Sequence, residues 1–198
     1  METSLRIISG AYKGRKLHAF PGLSIRPTSD RTRESIFNIL SSRYQSFADK
    51  RVLDLYAGTG ALGIEALSRG ARTAIFVDSQ QQARAVLQKN LSFIADPAAY
   101  EIIGLAVQAA LPLLQGRGAA FDLIFIDPPY GKGLAHDTME ALAAGTLCSA
   151  QAIILCEHFT RDTVEERYGA LSIFDKRRYG QTTVSFYALS GEAVVKAQ

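Results

Sequence analysis

The sequence lacks the features that define several large classes of protein. It has no apolar run of about 18 residues, so a membrane-spanning helix is not expected. Its only two cysteines, Cys148 and Cys156, do not have the spacing of metal ligands. No P-loop lysine, serine-nucleophile motif or cluster of metal ligands is present, so no metal is expected. Two isolated thiols are typical of buried small side chains in a reducing compartment.

Size and composition indicate a globular protein. The 198 residues are enough for one packed domain with a small extension. Hydrophobic residues make up 47% and charged residues 21%, which is an ordinary balance for such a chain. The first residues lack a basic segment followed by an apolar stretch, so we expect no signal peptide and a cytoplasmic location.

Positive charge is concentrated in the N-terminal quarter. Residues 1–50 contain nine Lys and Arg against four Asp and Glu, whereas the remainder contains thirteen against fifteen. This asymmetry is typical of a basic arm that meets phosphates, attached to a nearly neutral core. A solvated face rich in arginine would give the same composition, and charge alone does not separate the two interpretations.

Strands and helices alternate from residue 51 onward. Apolar runs of strand length are separated by glycine turns and by segments of helical periodicity. The predicted strands are 52–55, 73–77, 100–105, 121–126 and 152–156, with helices at 61–68, 80–93, 106–114 and 134–144. This order predicts an α/β fold with a mostly parallel sheet. A closing pair at 171–174 and 183–189 adds an antiparallel strand.

The N-terminal segment has a different pattern. Two short runs, 5–8 and 15–18, flank Gly10 and Gly14 and predict a β-hairpin. A helix is expected to begin with Thr28 or Ser29 as its N-cap and to run through Leu40.

A glycine-rich turn follows the first predicted strand. Residues 54–63 read DLYAGTGALG, and Asp78 follows the next strand. The GxGxxG within this turn also fits a dinucleotide-binding site, so the glycines alone are a weak signal. Asp54 favours S-adenosylmethionine over NAD, because a carboxylate there attracts the cationic amino-acid part of the former and repels a pyrophosphate. Asp78 could accept the ribose hydroxyls of either cofactor, and either aspartate could instead cap a helix.

A rigid tetrapeptide, Asp127-Pro128-Pro129-Tyr130, follows the apolar run 121–126. The Asp127 carboxylate and the Pro128 carbonyl can accept the two N–H groups of a planar amine, and the Tyr130 ring can stack on its base. Proline fixes φ, which makes these directions reproducible. The motif favours methylation of an exocyclic amine, with a simple loop after a buried strand as the structural alternative.

The arm and these motifs together resemble a known family. Residues 6–10, 13–15 and 26–40 (RIISG, KGR and RPTSDRTRESIFNIL) are similar to the RsmD family of bacterial small-subunit rRNA guanine-N2 methyltransferases, and the resemblance extends from Arg6 to about Leu189. It implies a class I methyltransferase fold, Rossmann-like, with a seven-stranded sheet and an antiparallel C-terminal strand. It also implies S-adenosylmethionine as cofactor and N2-methylation of a guanine, expected to be guanine 966 of 16S rRNA. The partner would be the small ribosomal subunit or its assembly intermediate, and a monomer is expected.

The resemblance divides the chain into three parts. Residues 1–45 would form the basic extension that contacts RNA, 46–190 the methyltransferase domain and 191–198 a tail. The predicted RNA-binding residues are Arg6, Lys13, Arg15, Arg26, Arg31 and Arg33. The predicted cofactor-binding residues are Asp54, Tyr56, Ala57, Gly58, Gly60, Asp78 and Gln108. Many methyltransferases have an acid or amide after the third strand, near the adenine. Residues 105–110 of this chain read LAVQAA, so either Gln108 substitutes for that residue or backbone groups hold the adenine.

Two alternatives remain at this stage. The DPPY motif by itself does not distinguish guanine N2 from adenine N6, so an adenine-N6 DNA methyltransferase is the first alternative. The chain leaves no obvious room for a target-recognition domain of ordinary size, which counts against it. The second alternative is a non-catalytic RNA-binding assembly factor, and the intact tetrapeptide counts against that one.

Overall fold

The chain forms two compact units, divided after Val107. The structure is a computed structural model, and it describes residues 5–20 and 30–190. No helix within these two ranges is long and apolar enough to cross a membrane.

The first unit contains three parallel strands with helices between them. Its elements are α1 Asp30–Arg43, β1 Arg51–Leu55, α2 Ala61–Ser68, β2 Thr73–Val77, α3 Gln81–Leu91 and β3 Tyr100–Ile103. A short 3-10 turn, Pro97–Ala99, precedes β3. The strand order is β3-β2-β1, with both pairings parallel. Parallel strands end at the same edge of a sheet, so the turns after β1 and β2 lie side by side.

β1 and β2 lie in the interior of the first unit because most of their side chains are apolar. Val52, Leu53 and Leu55 are fully buried, as is Phe76 on the paired strand. Burying a side chain of this size contributes roughly 1.5–3 kcal/mol. The single polar side chain at the end of β1, Asp54, is therefore held among apolar neighbours, and this placement affects its ionisation.

The N-terminal segment rests on the same unit. Leu5 and Leu17 pair across a hairpin in which the Leu17 N–H donates to the Leu5 carbonyl at 2.8 Å. Within the described residues 5–20, the hairpin has one isolated antiparallel bridge, Arg6 with Lys16, and no regular strands. The predicted N-cap residues of α1, Thr28 and Ser29, lie outside the described residues.

The second unit contains five strands. Its elements are α4 Val107–Gly116, which begins at the boundary, β4 Phe121–Ile126, α5 Leu134–Ala144, β5 Cys148–Phe159, β6 Arg167–Tyr168, β7 Leu171–Tyr179 and β8 Thr182–Leu189. The order is β4-β5-β8-β7-β6. β4 and β5 are parallel, and the remaining pairs are antiparallel. Four residues at the end of β4, from Leu123 to Ile126, are fully buried.

Most predicted elements occur within a few residues of their expected ends. The helices 61–68 and 134–144 and the strands 73–77 and 121–126 have the predicted bounds. β5 extends beyond the predicted 152–156 at both ends, because Cys148 pairs with Phe121 of β4 and residues from Ile153 to Phe159 pair with β8. The described residues contain eight strands rather than seven, since the two-residue β6 pairs with β7. The division at residues 45 and 190 remains a prediction.

Candidate active site

Asp54 lies at the end of β1 with 2% of its surface exposed. The Gly63 N–H, in the first turn of α2, donates to its Oδ2 at 2.9 Å. A side chain at position 63 would collide with the Phe76 ring and with this carboxylate, so glycine permits the close approach of α2 to β1. Burial raises the pKa of Asp54 to about 8, against the Gly63 hydrogen bond, which lowers it, and together with the negative Asp78, which raises it.

The turn between β1 and α2 has an unusual backbone. Three residues have positive φ angles, Tyr56 at 61°, Gly58 at 55° and Gly60 at 78°. This region costs little for glycine but is strained for tyrosine. Such strain is often retained where a loop must fit a ligand. The Ala57 N–H donates to the Val77 carbonyl at 3.0 Å and the Gly60 N–H to the Ala57 carbonyl at 2.7 Å, which fixes the turn against β2.

Asp78 follows β2 and reaches back to this turn. Its Oδ2 accepts from the Gly58 N–H at 2.9 Å, and its Oδ1 accepts from the Gln80 N–H at 2.8 Å. The side chain is partly exposed, and a carboxylate has about four acceptor positions, so capacity for further donors remains. Asp78 thus holds the glycine turn and the segment before α3, but it is not the cap of that helix, whose N-cap is Gln80 with no side-chain hydrogen bond.

These residues suit the predicted cofactor. A buried carboxylate with a raised pKa favours a cationic ligand, because a positive charge beside it stabilises the ionised form. The partly exposed acid after β2 offers acceptors to a pair of hydroxyl groups. Asp54, Tyr56, Ala57, Gly58, Gly60 and Asp78 are brought together around one turn in the first unit. The seventh predicted residue, Gln108, is exposed in the first turn of α4 and belongs to the second unit.

The DPPY tetrapeptide leaves β4 directly. Asp127 is partly exposed, Pro128 is buried, and Pro129 and Tyr130 are exposed. The buried proline closes the end of the strand, and its fixed φ sets the direction in which the chain leaves the sheet. The rigid segment after β4 therefore presents three groups within four residues: a carboxylate, a backbone carbonyl and an aromatic ring.

The Tyr130 ring is fixed through its hydroxyl group. That hydroxyl donates to Glu157 Oε1 at 3.2 Å and lies 2.9 Å from Thr182 Oγ1. Its ring centroid is 5.9 Å from that of Phe159. The pKa of Tyr130 is raised, chiefly by burial of the hydroxyl group, with the Thr182 hydrogen bond acting in the opposite direction. The residue as a whole is 44% exposed, so an oriented aromatic surface is available to a ligand.

The partners of Tyr130 were missed by sequence reasoning. Glu157, 5% exposed, is on β5, and Thr182 begins β8. Neither is close to Asp127 in sequence, and the signal for Glu157 is an acid directly after the apolar run 152–156. Such a buried acid requires a polar partner, and the tyrosine hydroxyl is one.

Two of the predicted RNA-binding arginines belong to one ionic cluster. Asp30 accepts from Arg6 Nε at 3.0 Å and from Arg33 at 2.8 Å. Arg33 also donates to the Arg6 carbonyl at 2.5 Å. Its side chain is 1% exposed, whereas that of Arg6 is 63% exposed. In this arrangement Arg33 holds the hairpin to α1, and Arg6 is open to solvent on one side. The loss of water on burial lowers the pKa of Arg33, against the effect of Asp30 and Glu65.

The other predicted RNA contacts lie on the surface of the first unit. Lys13, Arg15 and Arg31 are exposed, and the Arg15 guanidinium is 4.3 Å from the centroid of the Phe93 ring. Arg26 lies outside the described residues. Exposed guanidinium and ammonium groups on one arm are suited to phosphate contacts.

Three buried polar side chains that dock the arm were also missed. Glu65 is fully buried and accepts from the Ile8 and Ser9 N–H groups at 2.7 and 3.0 Å. The Ser68 hydroxyl donates to the Ser9 carbonyl at 2.6 Å. Asn90 contacts both the arm and the glycine turn. Each is a polar residue on the apolar face of a helix, a signal that is visible in the sequence but does not identify the partner.

The part of the chain that the structure describes contains no group of three or more His, Cys, Asp or Glu side chains that could hold a metal ion. Cys156 is buried and Cys148 partly so, and burial raises the pKa of the Cys148 thiol to about 11. A thiol with that pKa is almost entirely protonated at neutral pH and is a poor metal ligand or nucleophile.

Comparison with solved structures identifies the class. A solved Escherichia coli protein, provisionally named methyltransferase yhhF, matches with a TM-score of 0.80 and 32% identity, over 94% of this chain and 98% of that one. Solved S-adenosylmethionine-dependent methyltransferases share the fold at lower identity. The fold is therefore that of the class I methyltransferases, as the sequence predicted. The names of these two structures give S-adenosylmethionine as the cofactor of those proteins, and it is also the cofactor predicted for this chain.

Sequence relatives identify the family. The family model described as "Conserved hypothetical protein 95" matches residues 5–188, and the chain belongs to this family, which includes the RsmD methyltransferases. Ribosomal RNA small subunit methyltransferase D of Escherichia coli K12 is 31% identical over 183 residues, 92% of this chain and 89% of that protein. A Bacillus subtilis protein, provisionally named rRNA methyltransferase YlbH, is 35% identical over 187 residues, 94% of this chain and 100% of that protein.

Proposed function

We propose that this methyltransferase acts on N2 of a guanine in small-subunit rRNA, with guanine 966 of 16S rRNA as the expected target. The observation that carries the proposal is the oriented, exposed Tyr130 ring three positions after Asp127 in one rigid segment. The names of the relatives, which specify rRNA and its small subunit, support the choice of substrate. The choice of guanine N2 over adenine N6 comes from the resemblance of the N-terminal segment to the RsmD family.

The tetrapeptide addresses the chemical difficulty of the reaction. The lone pair of an exocyclic amine is delocalised into the base, so the nitrogen is a weak nucleophile. Asp127 and the Pro128 carbonyl would accept its two N–H groups and orient the lone pair toward the methyl donor. Tyr130 would stack on the base, which must be unpaired or flipped out of its helix. A stacking contact of this kind contributes roughly 1–3 kcal/mol.

The reaction balances in bonds and in charge with the target amine, the cofactor and Asp127. S-adenosylmethionine supplies an electrophilic methyl group on a sulfonium. Transfer of that methyl group to the amine would leave the carbon–sulfur electron pair on sulfur, so the bond formed would be balanced by the bond broken. The methylated nitrogen then gives up one proton, which Asp127 accepts directly or through a water molecule.

The glycine turn would hold the cofactor. Asp54 would accept from the cationic amino-acid part, and Asp78 would accept from the ribose hydroxyls. The turn residues Tyr56, Ala57, Gly58 and Gly60 would approach the cofactor through their backbone. Gln108, in the first turn of α4, would contact the adenine.

The basic arm would bind the rRNA backbone. Arg6, Lys13, Arg15 and Arg31 have exposed side chains, and we assign them to phosphate contacts, together with Arg26. Arg33 would position the arm. The expected partner is 16S rRNA within the small subunit or an assembly intermediate of it. In such a partner the target base must be accessible, and the arm must be able to contact several backbone phosphates.

The test is transfer of a labelled methyl group to three substrates in parallel: naked small-subunit rRNA, unmodified small subunits and DNA. The products are digested to nucleosides. We expect N2-methylguanosine from rRNA or from subunits, with no product from DNA. N6-methyladenine from DNA would replace the proposal by the adenine-N6 alternative. RNA binding with no transfer to any substrate would support the assembly-factor alternative.

Asp127→Ala tests the catalytic assignment. We expect transfer to be abolished while cofactor affinity is unchanged, because the carboxylate is assigned to the target amine only. Asp137→Ala removes an exposed acid from α5 of the same unit and serves as the matched control. Unchanged turnover in Asp127→Ala would refute the role of this residue.

A further inference from the structure

Asn90 is a buried amide that joins two functional segments of the first unit. It lies on α3 and is 1% exposed. Its Oδ1 accepts from the His18 N–H at 2.7 Å, and its Nδ2 donates to the His18 carbonyl at 3.0 Å. The same Nδ2 donates to the Thr59 carbonyl at 2.8 Å. Both N–H donors of the amide are thereby used, and the side chain is held in one orientation.

The two partners of Asn90 come from different parts of the proposed site. His18 belongs to the basic arm and follows Lys13 and Arg15. Thr59 lies in the glycine turn between Gly58 and Gly60. Neither partner is within a regular helix or strand, so their backbone groups rely on this side chain for hydrogen bonds.

A second contact joins the same two segments. Phe20, two residues after His18, lies against Gly58, since a Cβ placed on Gly58 would be 3.8 Å from the Phe20 ring. The arm between His18 and Phe20 therefore covers one side of the glycine turn. A displacement of the arm would therefore disturb the contacts that hold the glycine turn, and a displacement of the turn would disturb the contacts that hold the arm.

We propose that Asn90 couples RNA binding on the arm to cofactor binding at the glycine turn. The inference rests on the proposed assignment of RNA to the arm. RNA that orders the arm also fixes the His18 backbone, which through Asn90 fixes the Thr59 carbonyl and the turn. A prearranged turn binds the cofactor more tightly, because less ordering remains to be done on binding. Asn90 is thus a positioning residue that contacts neither ligand in the proposed arrangement.

Coupling of this kind is reciprocal. If RNA tightens cofactor binding by some factor, the cofactor must tighten RNA binding by the same factor. A factor of about 5 or more is the usual range for coupled sites. A residue that is only structural would weaken both affinities when replaced but would leave this factor unchanged.

The test uses S-adenosylhomocysteine, which carries no methyl group to transfer, and a transcript of small-subunit rRNA. The dissociation constant of each is measured with and without the other, for the wild-type chain and for Asn90→Asp. The aspartate can still accept from the His18 N–H but has no N–H for the Thr59 and His18 carbonyls. Gln88→Glu, an exposed position on α3, is the control for added charge.

We expect a coupling factor of at least about 5 in the wild type and in Gln88→Glu, falling below about 2 in Asn90→Asp. An unchanged factor in a folded Asn90→Asp protein would overturn the inference. Hydrogen exchange of the wild-type chain provides a measurement that does not depend on the variant. RNA alone should slow exchange at the amides of residues 58–63, and unaltered exchange there would also overturn it.

The two proposals fail in different ways. If neither the transcript nor unmodified small subunits bind the chain, the assignment of RNA to the arm is wrong. If either binds but the coupling factor is 1 in the wild type, the assignment of RNA stands and the coupling through Asn90 is wrong.

Discussion

Replacing Asp54 by asparagine tests whether this buried carboxyl group, which is protonated without cofactor, serves to bind the positive charge of the cofactor. Burial raises the pKa of Asp54 from 3.8 to about 8. Between these values the carboxyl group is ionised in the unfolded chain and protonated in the folded chain. The protonated Asp54 carboxyl group therefore makes its full contribution to the free energy of unfolding below about pH 4. This contribution is lost as the pH rises to about 8. Each pKa unit corresponds to about 1.4 kcal/mol, so the whole shift from 3.8 to about 8 amounts to roughly 6 kcal/mol.

Asp54→Asn should remove this dependence in the cofactor-free protein. The asparagine carbonyl can still accept from the Gly63 N–H, so the turn keeps its hydrogen bond. The free energy of unfolding of the variant, relative to wild type, should increase steadily between pH 5 and pH 8. Urea unfolding at several pH values measures this difference. Asp96→Asn, which changes an exposed carboxylate of the same unit, is the control for the loss of one carboxylate.

Cofactor binding should change in the opposite direction. The ionised form of Asp54 attracts the cationic amino-acid part, so wild-type affinity should rise with pH relative to Asp54→Asn. Calorimetric titration with S-adenosylhomocysteine at pH 6, 7 and 8 gives this comparison, and the titration of the ligand itself cancels between the two proteins. Parallel stability curves, or equal affinities at every pH, would refute the reasoning.

Two further predictions concern the base and the arm. Tyr130→Ala should lower kcat/KM by about 5- to 150-fold through loss of roughly 1–3 kcal/mol of stacking, whereas Tyr130→Phe should lose much less; equal losses in the two variants would contradict the stacking role. Arg31→Ala should reduce the salt dependence of RNA binding by about one unit of slope without changing the melting temperature. Arg33→Ala should lower the melting temperature, because it leaves Asp30 and the arm without their buried partner. If the two arginine variants changed the salt dependence and the melting temperature equally, the exposed Arg31 and the buried Arg33 would not have different roles.

The fold was predictable because its signals are local. Short apolar runs ended by glycine or proline give strands such as 121–126, and these run lengths do not depend on distant residues. The predicted extents of β5 and β7 were too short, and β6 was missed. All three are defined by hydrogen bonds to strands that follow them in the chain, which a single run of residues does not reveal.

The candidate site was predictable only in part. Asp54 and Asp78 stand at strand ends, and this position could be inferred from the alternation of strands and helices. The difference between Arg31 and Arg33 could not, since the two residues have the same chemistry and lie two positions apart. Only the direction of each side chain on α1 makes one exposed and the other 1% exposed.

The sequence by itself determined the order of elements, the glycine turn after β1 and the composition of the tetrapeptide after β4, because each depends on neighbouring residues. The tertiary structure decided which polar side chains are buried and what they contact. Asn90 bridges 72 positions to His18, and Tyr130 bridges 27 to Glu157. Such contacts form only when the chain has folded and water has been removed, so the residues that fix the geometry of the site are visible in three dimensions and not in the sequence.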